Sequence, residues 1–332
     1  MTSRVPEGQP ETPPQSRRLL CLSGGGYRGL FSAIVLEHIE AQLQRLGHNR
    51  LRDYFDLISG TSIGGLLACG IAAGVSARRL REALEEDGGT VFPERSFPKV
   101  RQIVGSLYSA DALQRVISKC LAADAKSTLQ QVSAPLLVPA VSWITGEVVL
   151  YKSRGLAGNS APNISLLDVC LATSAAPTYF PPHQLKNASG QLSDVLVDGG
   201  LVANAPDLAA LTAAIKRWPL PLDRFEVMSI GTAGSAAGGV AATVPSSGAA
   251  WASRAMIVTL VLSAQERHAV ANCKTLLGER YFRIDQQPSQ GQLELQAMDR
   301  VDTSTTATLR KLAEHAVEVA KQSAPAWAIQ LV

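Results

Sequence analysis

The chain has 332 residues, which is enough to bury a sizeable core as one large α/β domain or as two smaller ones. Hydrophobic residues make up 46% and charged residues 18%, which excludes a disordered chain, and a formal charge of +3 does not indicate binding to a nucleic-acid polymer. The five cysteines lack C-x-x-C spacing, a pattern typical of buried thiols in a reducing compartment.

Apolar runs and apolar positions at helical spacing predict strands and helices that alternate along the chain. The predicted strands are 19–22, 54–59, 135–142, 148–152, 195–198, 225–230 and 280–284. The predicted helices are 30–46, one from Ile63 onward, 77–86, 111–121, 166–172, 205–218, 251–277 and 305–319. Alternation of this kind indicates a parallel sheet covered by helices.

Four segments call for a separate interpretation. Residues 1–17 are rich in proline and polar residues, lack the apolar core of a signal peptide, and are predicted to be a disordered leader. Residues 57–75 carry no charge, but their five glycines favour a strand, a tight turn and a buried helix over a transmembrane helix. Residues 88–107 are predicted to be a loop or lid, and 233–250 a Gly/Ala/Ser-rich connection. With no repeat and no clean boundary, 18–332 is expected to be a single domain.

The segment SGGGYRG, residues 23–29, contains the spacing G-x-G-x-x-G. This spacing fits a loop that cradles a pyrophosphate or a loop that holds an oxyanion during acyl transfer. A dinucleotide site needs an acidic residue at the end of the second strand, where it binds the ribose hydroxyls. Asp56 lies near the start of that strand, which counts against the dinucleotide.

The second strand ends instead in the pattern G-x-S-x-G, formed by Gly60, Thr61, Ser62, Ile63 and Gly64. A serine nucleophile stands on a sharp, strained turn between strand and helix, where the residues two positions away must be small. The N-terminus of the following helix favours the negative charge that develops at such a serine. Ser62 is therefore a candidate nucleophile, and the alternative is a structural turn with an exposed serine.

A serine nucleophile needs a base, and two candidates stay open on the residues alone. His183, in PPHQL, is the histidine whose predicted loop could reach the site. Asp198 ends an apolar strand before Gly199 and Gly200, so we expect it at the same sheet edge as Ser62. Burial of Asp198 would raise its pKa and make direct proton transfer from the serine feasible.

Four separated blocks of the sequence resemble the patatin-like phospholipases, in the same order. The blocks are SGGGYRGLFS, SGTSIGGLLA, ATSAAPTYFPPH and VDGGLVANAP. The similarity covers residues 19–231, and the predicted C-terminal helices follow over 251–322. The resemblance implies a three-layer patatin-like fold, in which a mostly parallel central sheet is covered by helices on both faces.

The same resemblance implies a Ser-Asp dyad without histidine, in which Ser62 is the nucleophile and Asp198 is the base. It implies that Gly199 and Gly200 support the base, and that Asn204 and Pro206 shape the backbone beside it. It assigns the oxyanion hole to Gly24, Gly25, Gly26, Arg28 and Gly29. Arg28 would either anchor the glycine loop or offer positive charge to a lipid phosphate. No metal and no cofactor are expected.

Within the family, the single-domain layout and the variant GTSIGG resemble bacterial effectors that degrade phospholipids in antiviral defence. Those effectors are activated by cyclic dinucleotides such as cyclic GMP-AMP. The resemblance implies a cytoplasmic phospholipase A1- or A2-type hydrolase that contacts the inner face of the membrane peripherally. Segment 92–108, through Arg95, Lys99 and Arg101, would contact nucleotide or membrane, or form a solvated lid. A homo-oligomer, an unregulated or secreted lipase toxin, and a catalytically dead lipid-binding scaffold stay open.

Overall fold

The structure is a computed structural model that describes residues 16–93, 106–234, 256–289, 292 and 297–332. The strands are β1 Arg17–Leu22, β2 Leu57–Gly60, β3 Leu136–Ser142, β4 Val148–Lys152, β5 His183–Lys186, β6 Leu192–Asp198, β7 Phe225–Ile230 and β8 Tyr281–Ile284. The helices are α1 Gly29–Arg45, α2 Ile63–Ala73, α3 Ala77–Val91, α4 Ala110–Leu121, α5 Arg154–Ala157, α6 Leu166–Thr173, α7 Gly200–Ala203, α8 Asp207–Arg217, α9 Met256–Leu277 and α10 Thr303–Ser323.

The described strands form one mixed sheet with a parallel centre. β1 lies between β2 and β7, β8 follows β7, and all of these neighbours run parallel. β3 is parallel to β2 and antiparallel to β4 and β6, and β5 is antiparallel to β6. Parallel neighbours need crossover connections, which explains why helices separate the strands at the centre of the sheet.

Both faces of the sheet are buried, as the side chains of β1 show. Leu20 and Leu22 belong to the core formed with α1, α2, α3, α4, α6 and α10. Leu19 and Cys21 belong to the opposite core, formed with α8 and α9. Successive strand residues point to opposite faces, so a continuous apolar run is required where both faces are covered. The predicted three-layer α/β fold with a mostly parallel sheet is confirmed.

The two edges of β3 decide where the predicted site forms. β4 pairs with residues 137–141 of β3 and therefore occupies one edge. β2 pairs with residues 136–137 and β6 with 140–142, so both use the other edge. β2 runs parallel to β3 and β6 runs antiparallel to it, and their carboxyl ends consequently point at each other. The residues that follow β2 meet the last residue of β6 at this junction.

The structure changes two of the predicted elements near the cavity. His183 was predicted to lie in a loop, because HQLK carries no apolar run, yet these four residues form the strand β5. Their side chains alternate between half-buried and exposed, which explains the missing apolar run. α3 was predicted to end at residue 86 and to be exposed, yet it continues to Val91 and buries Leu80, Leu84 and Val91. These apolar residues are four and seven positions apart, about one and two helical turns, and therefore share one face of the helix. Residues 94–105, with Arg95, Lys99 and Arg101, lie outside the described residues.

Residues 57–75 form β2, a turn and α2, as the sequence indicated. Within the described ranges, no helix has the length and apolar character needed to cross a membrane. β1 begins at Arg17, at the end of the segment predicted to be a leader. Residues 1–15 lie outside the described residues, so the leader itself stays a prediction.

Candidate active site

Ser62 lies on the sharp turn between β2 and α2, with φ 55° and ψ −124°. Positive φ is unfavourable for a residue that carries a Cβ, and such strain is typical of functional sites. The turn is so tight that Gly60 and Gly64 lie against other backbone and leave no space for a side chain. A Cβ on Gly60 would lie 2.0 Å from the oxygen of Gly64, and a Cβ on Gly64 would lie 2.3 Å from the oxygen of Leu22.

Hydrogen bonds of Ser62 and Thr61 with distant segments of the chain hold this turn. The amide of Ser62 donates to Oγ1 of Thr173 at 3.0 Å, and that hydroxyl donates to the carbonyl of Pro139 in β3 at 2.7 Å. Oγ1 of Thr61 donates to the carbonyl of Ala203. Thr173 was not among the predicted site residues, although it belongs to the block ATSAAPTYFPPH that carried the family resemblance.

Asp198, the last residue of β6, is only 4% exposed and faces the Ser62 turn. Burial raises the pKa of its carboxyl to about 7, against smaller lowering effects of the Gly200 amide and the Ser62 side chain. The Gly200 amide donates to Oδ1 at 2.7 Å. A Cβ on Gly199 would lie 2.1 Å from the carbonyl oxygen of Pro139, so this position also requires glycine. A carboxylate with a pKa near neutrality can accept a proton from a serine hydroxyl.

The glycine loop, residues 23–29, lies against the Ser62 turn. A Cβ on Gly24 would lie 3.3 Å from Cβ of Ser62 and 2.4 Å from Oδ1 of Asn204. The amide of Gly24 donates to the carbonyl of Asn204 at 2.9 Å. The loop is therefore fixed to the segment that follows Asp198, and it reaches Ser62 through backbone that carries no side chain.

The backbone amides of this loop divide into engaged and open groups. Those of Gly24, Arg28 and Gly29 donate to backbone carbonyls, and the amide of Tyr27 donates to Met298. The amides of Gly25 and Gly26 donate to no group among the described residues. Both glycines line the same cavity as Ser62 and Asp198. The geometry thus leaves two neighbouring N–H donors beside the serine.

The side chain of Arg28 turns away from Ser62. It lines a second cavity on the other side of the glycine loop, where its Nη2 would lie 3.3 Å from a Cβ on Gly234. Glu266 and Asp285 are the nearest carboxylates that act on its charge, and burial lowers the pKa of its guanidinium. Arg28 is not among the residues that line the Ser62 cavity.

An apolar cavity opens in front of Ser62 and Asp198. Its walls come mainly from aliphatic residues of α3 and α4 and from aromatic residues, namely Leu84, Val91, Phe92, Leu113, Val116, Tyr179 and Phe180. Phe92 packs edge-on against Tyr108 with 5.1 Å between ring centroids, and against Phe180 with 6.0 Å. The two described ends of the predicted lid thus pack together beside this cavity. An apolar wall of this kind suits a hydrocarbon chain.

His183, the competing base, lies elsewhere. It begins β5, and its Nε2 lies 3.1 Å from Oδ1 of Asp168. The ring lines a third cavity, which Ser62 does not line. The side chain of Asp168 also accepts a hydrogen bond from Ser165, so the imidazole belongs to a separate polar cluster at the N-terminus of α6.

Comparisons with known proteins show the family of the chain. The sequence model of the patatin-like phospholipase family matches residues 20–211, which include the glycine loop, Ser62 and Asp198. The chain therefore belongs to the patatin-like phospholipases, a family of lipid-ester hydrolases.

Several relatives resemble the chain, one of them over most of its length. A cGAMP-activated phospholipase of Pseudomonas aeruginosa is 35% identical over 90% of this chain and 87% of its own length. A cGAMP-activated phospholipase of Vibrio cholerae is 38% identical over 58% of this chain and 56% of its own. Patatin-like protein 1 of Arabidopsis thaliana is 33% identical over 64% of this chain and 58% of its own. The structure of VipD from Legionella pneumophila covers 90% of this chain and 67% of its own, with 13% identity and a TM-score of 0.40.

Proposed function

We propose that this protein is a lipid acyl hydrolase that cleaves ester bonds of membrane phospholipids with a Ser62–Asp198 dyad. One observation carries the proposal. The strained Ser62 and the buried Asp198, whose pKa is raised to about 7, face each other where β2 and β6 meet. Such a pair supplies a nucleophile and a base within one small, partly dry site.

In the first half of the reaction, Asp198 accepts the hydroxyl proton of Ser62 while Oγ attacks the ester carbonyl. The tetrahedral intermediate then collapses, the bond from carbonyl carbon to alcohol oxygen breaks, and Asp198 returns the proton to the leaving alcohol. In the second half, water attacks the acyl-serine and gives its proton to Asp198. The fatty acid leaves as Ser62 recovers that proton.

The oxyanion of both intermediates would accept hydrogen bonds from the amides of Gly25 and Gly26. Of the five residues that the family resemblance assigned to this hole, these two have open amides beside Ser62. One well-placed donor contributes about 3–4 kcal/mol to such a transition state. The engaged amides of Gly24, Arg28 and Gly29 would hold the shape of the glycine loop. The N-terminus of α2 adds partial positive charge behind Ser62.

The substrate follows from the apolar cavity. A fatty acyl chain lying between α3 and α4 would place its ester carbonyl beside Ser62, at the polar end of the cavity. This supports a phospholipase of the A1 or A2 type that contacts the membrane surface peripherally.

Regulation is the finer part of the proposal. Relatives that are 35% and 38% identical are cGAMP-activated phospholipases. We therefore propose that a cyclic dinucleotide switches this protein on, in the setting of bacterial antiviral defence. The alternatives are an unregulated lipase or toxin and a catalytically dead scaffold that binds lipid.

The test is fatty-acid release from phospholipid vesicles, with and without cyclic GMP-AMP, and with the Ser62→Ala protein as the blank. Release that requires the nucleotide supports both parts of the proposal. Equal release without nucleotide keeps the hydrolase and removes the switch. Binding to vesicles without release by any variant, from protein shown to be folded, would support the scaffold instead.

A further inference from the structure

The second cavity, on the opposite side of the glycine loop from the apolar one, has a free volume of about 570 Å³. This volume lies within the usual range for sites that bind small molecules. Its charged lining consists of Arg28, Arg267, Lys274, Arg283, Glu266 and Asp285. Cations therefore outnumber carboxylates by four to two among the described residues of this lining.

The carboxylates neutralise only part of this positive charge. Nη2 of Arg283 lies 2.5 Å from Oε1 of Glu266 and 2.7 Å from Oδ2 of Asp285, so one arginine engages both acids. Arg267 and Lys274 are exposed and form no salt bridge with another described residue. They lie seven positions apart on α9, which places them about 10 Å apart on one face of the helix.

Arg28 is the third cation without an ion pair in the described part of the chain, and it lies deeper than the other two. Its Nε is buried and has no hydrogen-bond partner there. A buried guanidinium nitrogen without an acceptor is costly, because the group has lost its water without a replacement. An anion in the cavity would supply both the acceptor and the countercharge.

We propose that this cavity is the binding site for a soluble ligand with phosphodiester groups, held by Arg28, Arg267 and Lys274. A guanidinium and a phosphate make paired, charge-assisted hydrogen bonds, and two exposed cations at the rim attract the ligand. The role of such a ligand as an activator rests on the regulatory part of the proposed function, in which a cyclic dinucleotide is the candidate.

Two connections join this cavity to the oxyanion amides. First, Arg28 ends the short turn that begins at Gly26, so a pull on its side chain acts on the glycine loop itself. Second, the carboxylate of Glu266 accepts from Nδ2 of Asn204 at 2.8 Å, and the Asn204 carbonyl accepts from the Gly24 amide at 2.9 Å. A ligand that competes for Arg28 or Arg283 would therefore shift groups that fix the loop beside Ser62.

The wall between the two cavities is shared. Leu262 of α9 and Met298 line both, and Met298 accepts the amide of Tyr27 through its carbonyl. α9 thus presents Arg267 and Lys274 to the charged cavity and Leu262 to both cavities. A shift of α9 on ligand binding would change the mouth of the apolar cavity together with the glycine loop.

The test measures binding directly, in the Ser62→Ala background, so that it does not depend on hydrolysis. Fluorescent cyclic GMP-AMP is titrated into this protein and into the same protein with Arg267→Glu and Lys274→Glu. We expect the two reversals to weaken binding at least about tenfold, since both remove a phosphate contact and replace it with repulsion. The matched control is Lys311→Glu, an exposed lysine on α10 outside the cavity, which should stay within about twofold of the parent.

A second arm separates the nucleotide from a lipid headgroup that carries the same phosphodiester chemistry. Co-sedimentation with vesicles of phosphatidylcholine and phosphatidylglycerol is measured for the same three proteins. Loss of nucleotide binding with unchanged sedimentation supports the proposal. Loss of sedimentation with unchanged nucleotide binding, or no nucleotide binding in the parent protein, overturns it.

Activity then distinguishes this site from the proposed reaction. With Ser62 intact, the Arg267→Glu, Lys274→Glu protein should keep its basal release of fatty acid and lose stimulation by cyclic GMP-AMP. If the nucleotide binds as expected but no protein releases fatty acid, the site stands and the proposed hydrolase fails. Stimulation that survives both reversals contradicts the site.

Discussion

The two cavities on either side of the glycine loop differ in almost every property that decides a ligand. The cavity beside Ser62 has aliphatic and aromatic walls, and Asp198 is the one carboxyl among the described residues that line it. The cavity beside Arg28 is wider and has charged walls. Low polarity on one side raises the pKa of Asp198, whereas charge on the other side suits an anion. The glycine loop therefore contributes residues both to the proposed catalytic cavity and to the proposed ligand cavity.

The two cavities also differ in whether their ionisable side chains have partners of opposite charge. Asp198 is buried without a cationic partner among the described residues, so its proton is held more tightly and its pKa is raised to about 7. Arg283 is half-buried, and its two carboxylate partners stabilise its positive charge. Ion-paired side chains fix structure, whereas a buried carboxyl that lacks a cationic partner and lies next to a serine suits proton transfer.

The largest expected effect comes from the dyad itself. Ser62→Ala and Asp198→Asn should each lower fatty-acid release from vesicles at least about 10⁴-fold, and the double variant should be no worse than either single one. The reason is that nucleophile and base act as one unit. Ser174→Ala is the matched control, because Ser174 lines the same cavity and has no role in the proposed mechanism. Retention of substantial activity in Asp198→Asn would remove Asp198 as the base.

The next effect is the pH dependence of the reaction. Asp198 must be ionised to accept the serine proton, and its pKa is raised to about 7 by burial. We therefore expect kcat/KM to fall about tenfold per pH unit below 7, or about 100-fold between the plateau and pH 5. Release of fatty acid is measured across pH 5–9, with thermal melting at each pH to show that the protein stays folded. A flat profile over this range would contradict the assignment.

The sequence offered Ser62 and Asp198 as candidates from local patterns, and the family resemblance assigned them as a dyad. The patterns around Ser62 and Asp198 are local, because a tight turn and the end of a strand each need glycines within two residues. The direction of β6 is not a local property, since parallel and antiparallel strands carry the same alternation. The sequence therefore indicated that Ser62 and Asp198 lie close together. It did not indicate that β2 and β6 run in opposite directions and meet at their carboxyl ends.

Other parts of the site could not be predicted, because they depend on contacts between distant segments. Thr173 supports the Ser62 turn across more than 100 positions, and nothing in its own neighbourhood marks that contact. The amide of Gly24 is engaged by Asn204, which only the folded chain shows. The charged cavity joins Arg28 to residues of α9, so no single stretch of sequence carries its signature.

A smaller effect on stability follows from the same Asp198 carboxyl. Its pKa is about 7 in the folded protein and about 3.9 in an unfolded chain, so the folded state holds the proton more tightly. The stability that this contributes is fully present below pH 4 and is lost as the pH rises through 7. Asp198→Asn does not titrate, so it should be more stable than the parent by about 4 kcal/mol at pH 8 and about equal near pH 4. Urea unfolding at both pH values measures this, and an equal difference at the two values would contradict the raised pKa.

The smallest of these effects concerns the apolar side alone. Val116 lines the cavity from α4 and is 5% exposed, so Val116→Phe should fill space that a long acyl chain would occupy. Release of long-chain fatty acid should fall about tenfold, whereas hydrolysis of a short acetyl ester should change less than about twofold. The reason is that the phenyl ring fills a part of the cavity that only a long acyl chain reaches. Melting temperature shows whether overpacking alone lowers activity. An equal loss on both esters would mean that Val116 supports the fold and does not contact the acyl chain, which would place that chain elsewhere than between α3 and α4.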